Sequence, residues 1–144
     1  MTTRIGVLVP PGNPTVEPEF YRMAPAGVTV HFARLGAGDT PGIAGAAAGM
    51  EARTRAYLDT LPAVARTLAE VMPAVVVLGQ TATSYVVGFA GEPALGDGLA
   101  ALTGAKAVTA AGAVFAGLQQ LGVRKLALAT PYPASISALG KTYW

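Results

Sequence analysis

The sequence contains no cysteine. That excludes disulfides, thiolate metal sites and thiol nucleophiles from these residues, and it suits a reducing cytoplasm. Histidine is nearly absent as well: His31 is the single one, the only acid/base candidate of that residue type, and no second metal ligand accompanies it. It reads as a packed or hydrogen-bonded strand residue, so no metal site is expected. Charge is sparse, at 12% of residues with a net charge of +2. Arg53, Arg55 and Arg66 are spaced along one predicted helix and read as a solvated face. No stripe of basic residues interleaved with aromatics is present, so nucleic acid is not an expected partner. Long apolar runs are missing too, because Gly, Pro or charge interrupts each before the roughly 18 residues that span a bilayer. The opening Met1-Thr2-Thr3-Arg4 leads straight into a strand and lacks the regions of a signal peptide. The expectation is a soluble, cytoplasmic protein with no membrane partner.

What is present is a chain of 144 residues, 52% of them hydrophobic, the size of one compact domain over 1–144. Strand and helix patterns alternate along it, the signature of an α/β fold. The prediction is a doubly wound, flavodoxin-like parallel sheet of four to five strands with helices on both faces. Strands are placed near 4–9, 28–35, 74–79, 106–109 and 125–130. The second alternates less cleanly and is assigned to an edge.

Between the strands, Pro14 to Ala24 reads as a short helix with Asn13 as N-cap and Pro14 in its first position. Met50 to Val71 is the longest helical pattern, with Leu58, Leu61, Ala65, Leu68 and Met72 as its apolar stripe. Pro62 is expected to kink or divide it. Ala94 to Leu102 and Ala111 to Leu121 read as helices closed by Gly104 and Gly122. Gly36 to Gly49 is glycine-rich and reads as a lid or a plain surface loop.

Three aliphatic runs end in polar clusters. Ile5-Gly6-Val7-Leu8-Val9 leads into Pro10-Pro11-Gly12-Asn13, Val75-Val76-Val77-Leu78-Gly79 into Gln80-Thr81-Ala82-Thr83-Ser84-Tyr85, and Leu126-Ala127-Leu128-Ala129 into Thr130-Pro131-Tyr132. In a parallel sheet the loops leaving the carboxyl ends of the strands share one crevice, where distant donors converge on one ligand. Thr81, Thr83 and Ser84, with peptide N–H groups beside them, can cradle an anion without Lys or Arg. The same residues are also ordinary turn and cap residues, Asn13 an ordinary N-cap and Tyr132 an ordinary packing aromatic.

The stretch Gly6-Val7-Leu8-Val9-Pro10-Pro11-Gly12-Asn13-Pro14-Thr15-Val16-Glu17 resembles the opening of maleate cis-trans isomerases and arylmalonate decarboxylases, in the aspartate/glutamate racemase superfamily. The likeness continues through Val75 to Gly88 and Leu118 to Tyr132, in order and at compatible spacing. The resemblance implies a cofactor-independent enzyme acting beside the carboxylate of a small acid or diacid, of which this chain matches the amino-terminal half. It carries over Asn13 as a carboxylate ligand, Thr81 as an oxyanion donor and Tyr132 as a phenolic donor. Thr81 and Tyr132 are then the catalytic candidates, and Pro10, Asn13, Thr81, Ala82, Thr83, Ser84 and Tyr132 the substrate-binding ones. Gln80 and Ala82 lie beside the position where racemases and isomerases carry their first catalytic cysteine, and neither can supply a thiolate. The competing reading is a non-catalytic domain that holds small anions or packs with a copy of itself. A half-domain exposes apolar surface, so a homo-oligomer is expected.

Two further motifs fail on context. Gly140-Lys141-Thr142 resembles the end of a phosphate-binding loop, but Ser135 stands where its first glycine belongs. Gly36-Ala37-Gly38-Asp39-Thr40-Pro41 nearly makes a dinucleotide fingerprint, with Pro41 in place of the last glycine. A signalling receiver would need acidic residues where Pro10-Pro11 and Gln80-Thr81 stand.

Overall fold

A computed structural model describes residues 2–36 and 49–144. Four parallel strands, β1 (Thr3–Val9), β2 (Val28–Arg34), β3 (Val75–Leu78) and β4 (Lys106–Thr109), form one sheet in the order β2-β1-β3-β4. Leu8 aligns with Ala33 on one side and Leu78 on the other, and Leu78 aligns in turn with Thr109. The polar residues that follow β1 and β3 therefore leave the sheet at the same level, which is the condition for a shared site.

The helices are α1 (Val16–Met23), α2 (Met50–Ala69), α3 (Thr81–Val87), α4 (Glu92–Thr103), α5 (Ala110–Gln120) and α6 (Ala134–Tyr143). The strict alternation of β1 divides the core between two faces. Leu8, with Val76 and Leu78 of β3, packs against Leu61, Ala65 and Leu68 of α2 and Leu99 of α4. Burying each such leucine stabilises the fold by roughly 2 kcal/mol. Gly6 brings α2 close, because a Cβ there would already touch Leu68 Cδ1 at 3.4 Å. On the opposite face Val7, Val9 and Val30 meet Val16 and Phe20 of α1. A third cluster joins Ala82 and Tyr85 of α3 to Ala111 of α5 and to Ile136 and Tyr143 of α6.

The expected fifth strand is not in the sheet. Residues 123–130 run without strand pairing, and Val123, Leu126 and Leu128 are exposed. Leu121 to Gly122 turn the chain out of α5, with Gly122 in the left-handed region at φ 66°. The next anchored element is α6, which docks on α3 through aromatic side chains, so the intervening segment spans the gap instead of joining the edge at β4. A strand-like pattern records only that side chains alternate; pairing also needs a neighbouring edge at the right place.

Other boundaries differ by smaller amounts. Helix α2 is continuous through Pro62 and is not divided. Helix α1 starts at Val16, later than predicted, because Asn13 and Pro14 lie in the preceding turn. Gly104 ends α4 at φ 66°, with its N–H returning to the Ala100 carbonyl. Gly140-Lys141-Thr142 lies inside α6 and forms no loop. His31 sits on β2 with its Nε2 3.1 Å from Thr29 Oγ1. The lid reading for Gly36 to Gly49 concerns residues 37–48, which lie outside the described residues. No helix among the described residues is long and apolar enough to cross a membrane.

Candidate functional site

The carboxyl ends of β1 and β3 meet the segment Pro131-Tyr132 around a cavity of about 490 Å³. Pro10 and Asn13 line it from the first loop, Gln80 and Thr81 from the second, and Tyr132 from the third. A larger cavity of about 630 Å³ lies against α5, walled by Phe115, Leu118, Leu126, Leu128 and Trp144. None of the expected site residues lines it, so size does not locate the strand-end chemistry here.

The side chains of Thr81, Tyr132 and Asn13 in the smaller cavity each have an identifiable support. Gly79 lets the end of β3 lie against β1, since a Cβ there would stand 3.1 Å from the Leu8 carbonyl oxygen. Helix α3 then begins at Thr81, whose Oγ1 is 3.0 Å from the Tyr132 hydroxyl. Tyr132 is steadied by an edge-to-face contact with Tyr85 at 6.1 Å between ring centroids. Its backbone is fixed by Thr130 Oγ1, which accepts from Tyr132 N at 3.1 Å, and by Ser137 Oγ, which donates to Tyr132 O at 3.0 Å. The two hydroxyls come from residues 51 apart in sequence.

Asn13 has a structural duty as well. Its Oδ1 accepts from Thr15 N at 2.9 Å and Val16 N at 3.1 Å, satisfying donors at the start of α1. With Oδ1 so occupied, Nδ2 is the part of this side chain suited to a ligand oxygen. The loop that carries Asn13 is held by Arg34 at the end of β2. Its guanidinium donates to the carbonyls of Pro11 at 3.0 Å and Asn13 at 3.2 Å and pairs with Glu17 at 2.6 Å. Sequence reasoning overlooked Arg34. The available signal was the prolines, which leave a turn rich in carbonyl acceptors and short of N–H donors.

Ala82, Thr83 and Ser84 lie apart from the cavity. All three are fully buried, because the first turn of α3 directs only Thr81 outward. Thr83 Oγ1 donates to the Gln80 carbonyl at 2.9 Å, and Ser84 Oγ donates to Glu92 Oε1 at 3.1 Å. Glu92 Oε1 also accepts from Thr109 Oγ1, and its Oε2 is buried without a partner among the described residues. Tyr143 lies beside this carboxylate, and burial together with the neighbouring charge pushes its phenol up to about 12.

The wall formed by α2 corrects one reading. Arg53, expected on a solvated face, lines the cavity together with Thr54 and Tyr57. Tyr57 is held above its ordinary pKa by burial, while the adjacent Arg53 charge and hydrogen bond draw it partly back. Met50, Arg53, Thr54 and Tyr57 follow one another at spacings of three, one and three, so the residue order by itself places them on one helix face. Arg55 does behave as a surface residue, pairing with Glu51 at 2.9 Å.

Comparison with known proteins identifies the fold and the family. A family model for arylmalonate decarboxylase matches residues 5–144. A double mutant of arylmalonate decarboxylase in a liganded form is 30% identical, with a TM-score of 0.74, over 99% of this chain and 56% of that one. Maleate isomerase Iso from Pseudomonas putida S16 shares the fold at 21% identity and a TM-score of 0.79, over 99% of this chain and 59% of that one. So does a cysteine-to-serine mutant of Nocardia farcinica maleate cis-trans isomerase carrying a covalently bound succinylcysteine intermediate. It is 22% identical at a TM-score of 0.78, over 99% of this chain and 58% of that one. No curated protein matches the chain. The 144 residues thus span a little over half the length of these solved relatives. With the family model matched over residues 5–144, the chain belongs to the arylmalonate decarboxylase family.

Proposed function

We propose that the strand-end cavity binds the carboxylate of a small organic acid and stabilises the charge that develops on it during cofactor-independent decarboxylation or isomerisation. The observation that carries this reading is the 3.0 Å approach of Thr81 Oγ1 and the Tyr132 hydroxyl within one cavity. In the free protein they satisfy each other, and an incoming carboxylate gives both a better acceptor, since hydrogen bonds to ionised groups are about twice as strong as neutral ones. When a bond next to a carboxylate breaks and leaves its electron pair behind, the charge spreads onto the carboxylate oxygens as an enediolate. Fixed donors strengthen their hold as that charge grows, which lowers the barrier to the step. Asn13 Nδ2 supplies a further donor. These residues hold the acid. They take no thiol step, because they include no cysteine.

Calorimetric titration with succinate or malonate tests the binding half. Thr81→Val and Tyr132→Phe are each expected to weaken binding about tenfold, the loss of one hydrogen bond to a charged group. Unchanged affinity in both variants would overturn the site.

The absence of a thiol also favours a second reading, in which these 144 residues bind the acid without turning it over. Carbon dioxide release from an arylmalonate by the chain alone decides between the two. Sustained turnover would refute the second.

A further inference from the structure

The outer edge of β4 is open. This strand stands last in the sheet order, so its main chain pairs with β3 on one side and with no strand on the other among the described residues. An edge of this kind presents a row of N–H and C=O groups ready to pair with a further strand. Beside it lies a slot of about 290 Å³ between α4 and α5, walled by Gly96, Ala107, Val108, Gly112, Ala113 and Ala116. The small residues on both helices leave room there for the side chains of one more strand.

The same chain carries an extended segment without a partner. From Arg124 to Thr130 the main chain makes no backbone–backbone hydrogen bond among the described residues, and Leu126 and Leu128 are exposed. Leu126, Ala127, Leu128 and Ala129 alternate large with small, so a strand laid in the slot turns its leucines to one helix layer and its alanines to the other. The segment does not join its own β4, because the residues that follow are committed elsewhere. Ile136 and Tyr143 of α6 pack with Tyr85 of α3, and Ser137 Oγ holds the Tyr132 carbonyl at 3.0 Å.

From the open edge and the unpaired segment together we infer that the two meet between molecules: residues 124–130 of one copy add to β4 of a second copy as a fifth strand. Main-chain pairing holds the interface, and Leu126 and Leu128 fix its register by entering the slot. The two surfaces are different, so the contact is head-to-tail. It gives a dimer where it closes on itself and a longer assembly where it does not. This interface is independent of what the strand-end cavity binds.

Because the chain has no cysteine, introduced thiols are the only ones present, which makes cross-linking a direct test. Val108→Cys puts a thiol on the edge and Leu128→Cys puts one on the segment. Both positions are at the surface, 38% and 39% exposed, so neither substitution empties the core. Mixing the two variants with a short bismaleimide is expected to give a product of twice the chain mass, in larger amount than either variant gives alone. If Leu128→Cys links to itself as readily, like faces pack together and the inference is overturned. A variant carrying both thiols that links within one chain on dilution would overturn it too, since the segment then lies on its own edge. Hydrogen exchange on the unmodified chain gives a second reading. Alternate amides from Leu126 to Ala129 should be protected wherever the chain sediments as dimers or larger species. Unprotected amides there, or a chain that stays monomeric, would also sink the proposal.

Discussion

Thr81 and Gln80 are neighbours with opposite hydrogen-bond status. Thr81 has found a partner in Tyr132, whereas Gln80 keeps a buried oxygen with no partner among the described residues. Leaving such a group unsatisfied costs about 1–3 kcal/mol. Gln80→Leu is therefore expected to raise the unfolding free energy by about 1 kcal/mol in urea denaturation while weakening acid binding. A loss of stability would mean that the amide is paired in solution. Tyr143 gives a prediction in pH. Its folded-state pKa, pushed up to about 12 first by burial and then by Glu92, lies above the ordinary value of 10.0 for an unfolded chain. The folded state thus favours the neutral phenol. Its contribution is fully present below about pH 10 and is lost as pH rises towards about 12, by up to roughly 3 kcal/mol. Tyr57, also raised, acts in the same direction. Tyr143→Phe should show a smaller fall in urea midpoint between about pH 9 and about pH 11 than wild type.

Helix α6 illustrates how an element can hold a site without lining it. Gly140 packs against Tyr85, and an added Cβ would stand 2.9 Å from Tyr85 Cε2. Tyr85 in turn steadies Tyr132 and accepts a hydrogen bond from Trp144 Nε1 at 3.0 Å. Gly140→Ala is expected to destabilise the fold by about 1–3 kcal/mol through overpacking and to weaken acid binding, as read by thermal unfolding and calorimetry on the same variant. The glycine that resembled part of a phosphate loop is a packing residue. Most elements were legible in sequence because their signals are local: alternation in β1, the stripe of α2, and Gly104 and Gly122 at helix ends. The run 125–130 misled because strand pairing depends on a distant edge. Thr81 and Tyr132 were legible as residues that follow aliphatic runs. Arg53 was misread because charge pattern alone does not say which way a helix face turns, and Ala82, Thr83 and Ser84 because one helical turn separates wall from core.

At the scale of the molecule, coverage is uneven. Leu121 is 79% exposed, and Val123, Leu126 and Leu128 continue the apolar surface beside the cavity at α5. Contiguous apolar surface of this kind usually mediates association. The 144-residue chain alone is expected to sediment as dimers or larger species, and Leu126→Asp with Leu128→Asp should shift it towards monomer in analytical ultracentrifugation. A monomeric wild type would count against that expectation. The hydroxyl pair has a consequence for synthesis. Its two members are separated by 51 positions, and the second is held by an aromatic contact to α3. In chain order the four strands are complete at Thr109, whereas the Tyr132 wall of the cavity follows later. Along the chain, completion of the sheet thus precedes completion of the cavity. A nascent chain released between Thr109 and Tyr132 should acquire the sheet and fail to retain the acid.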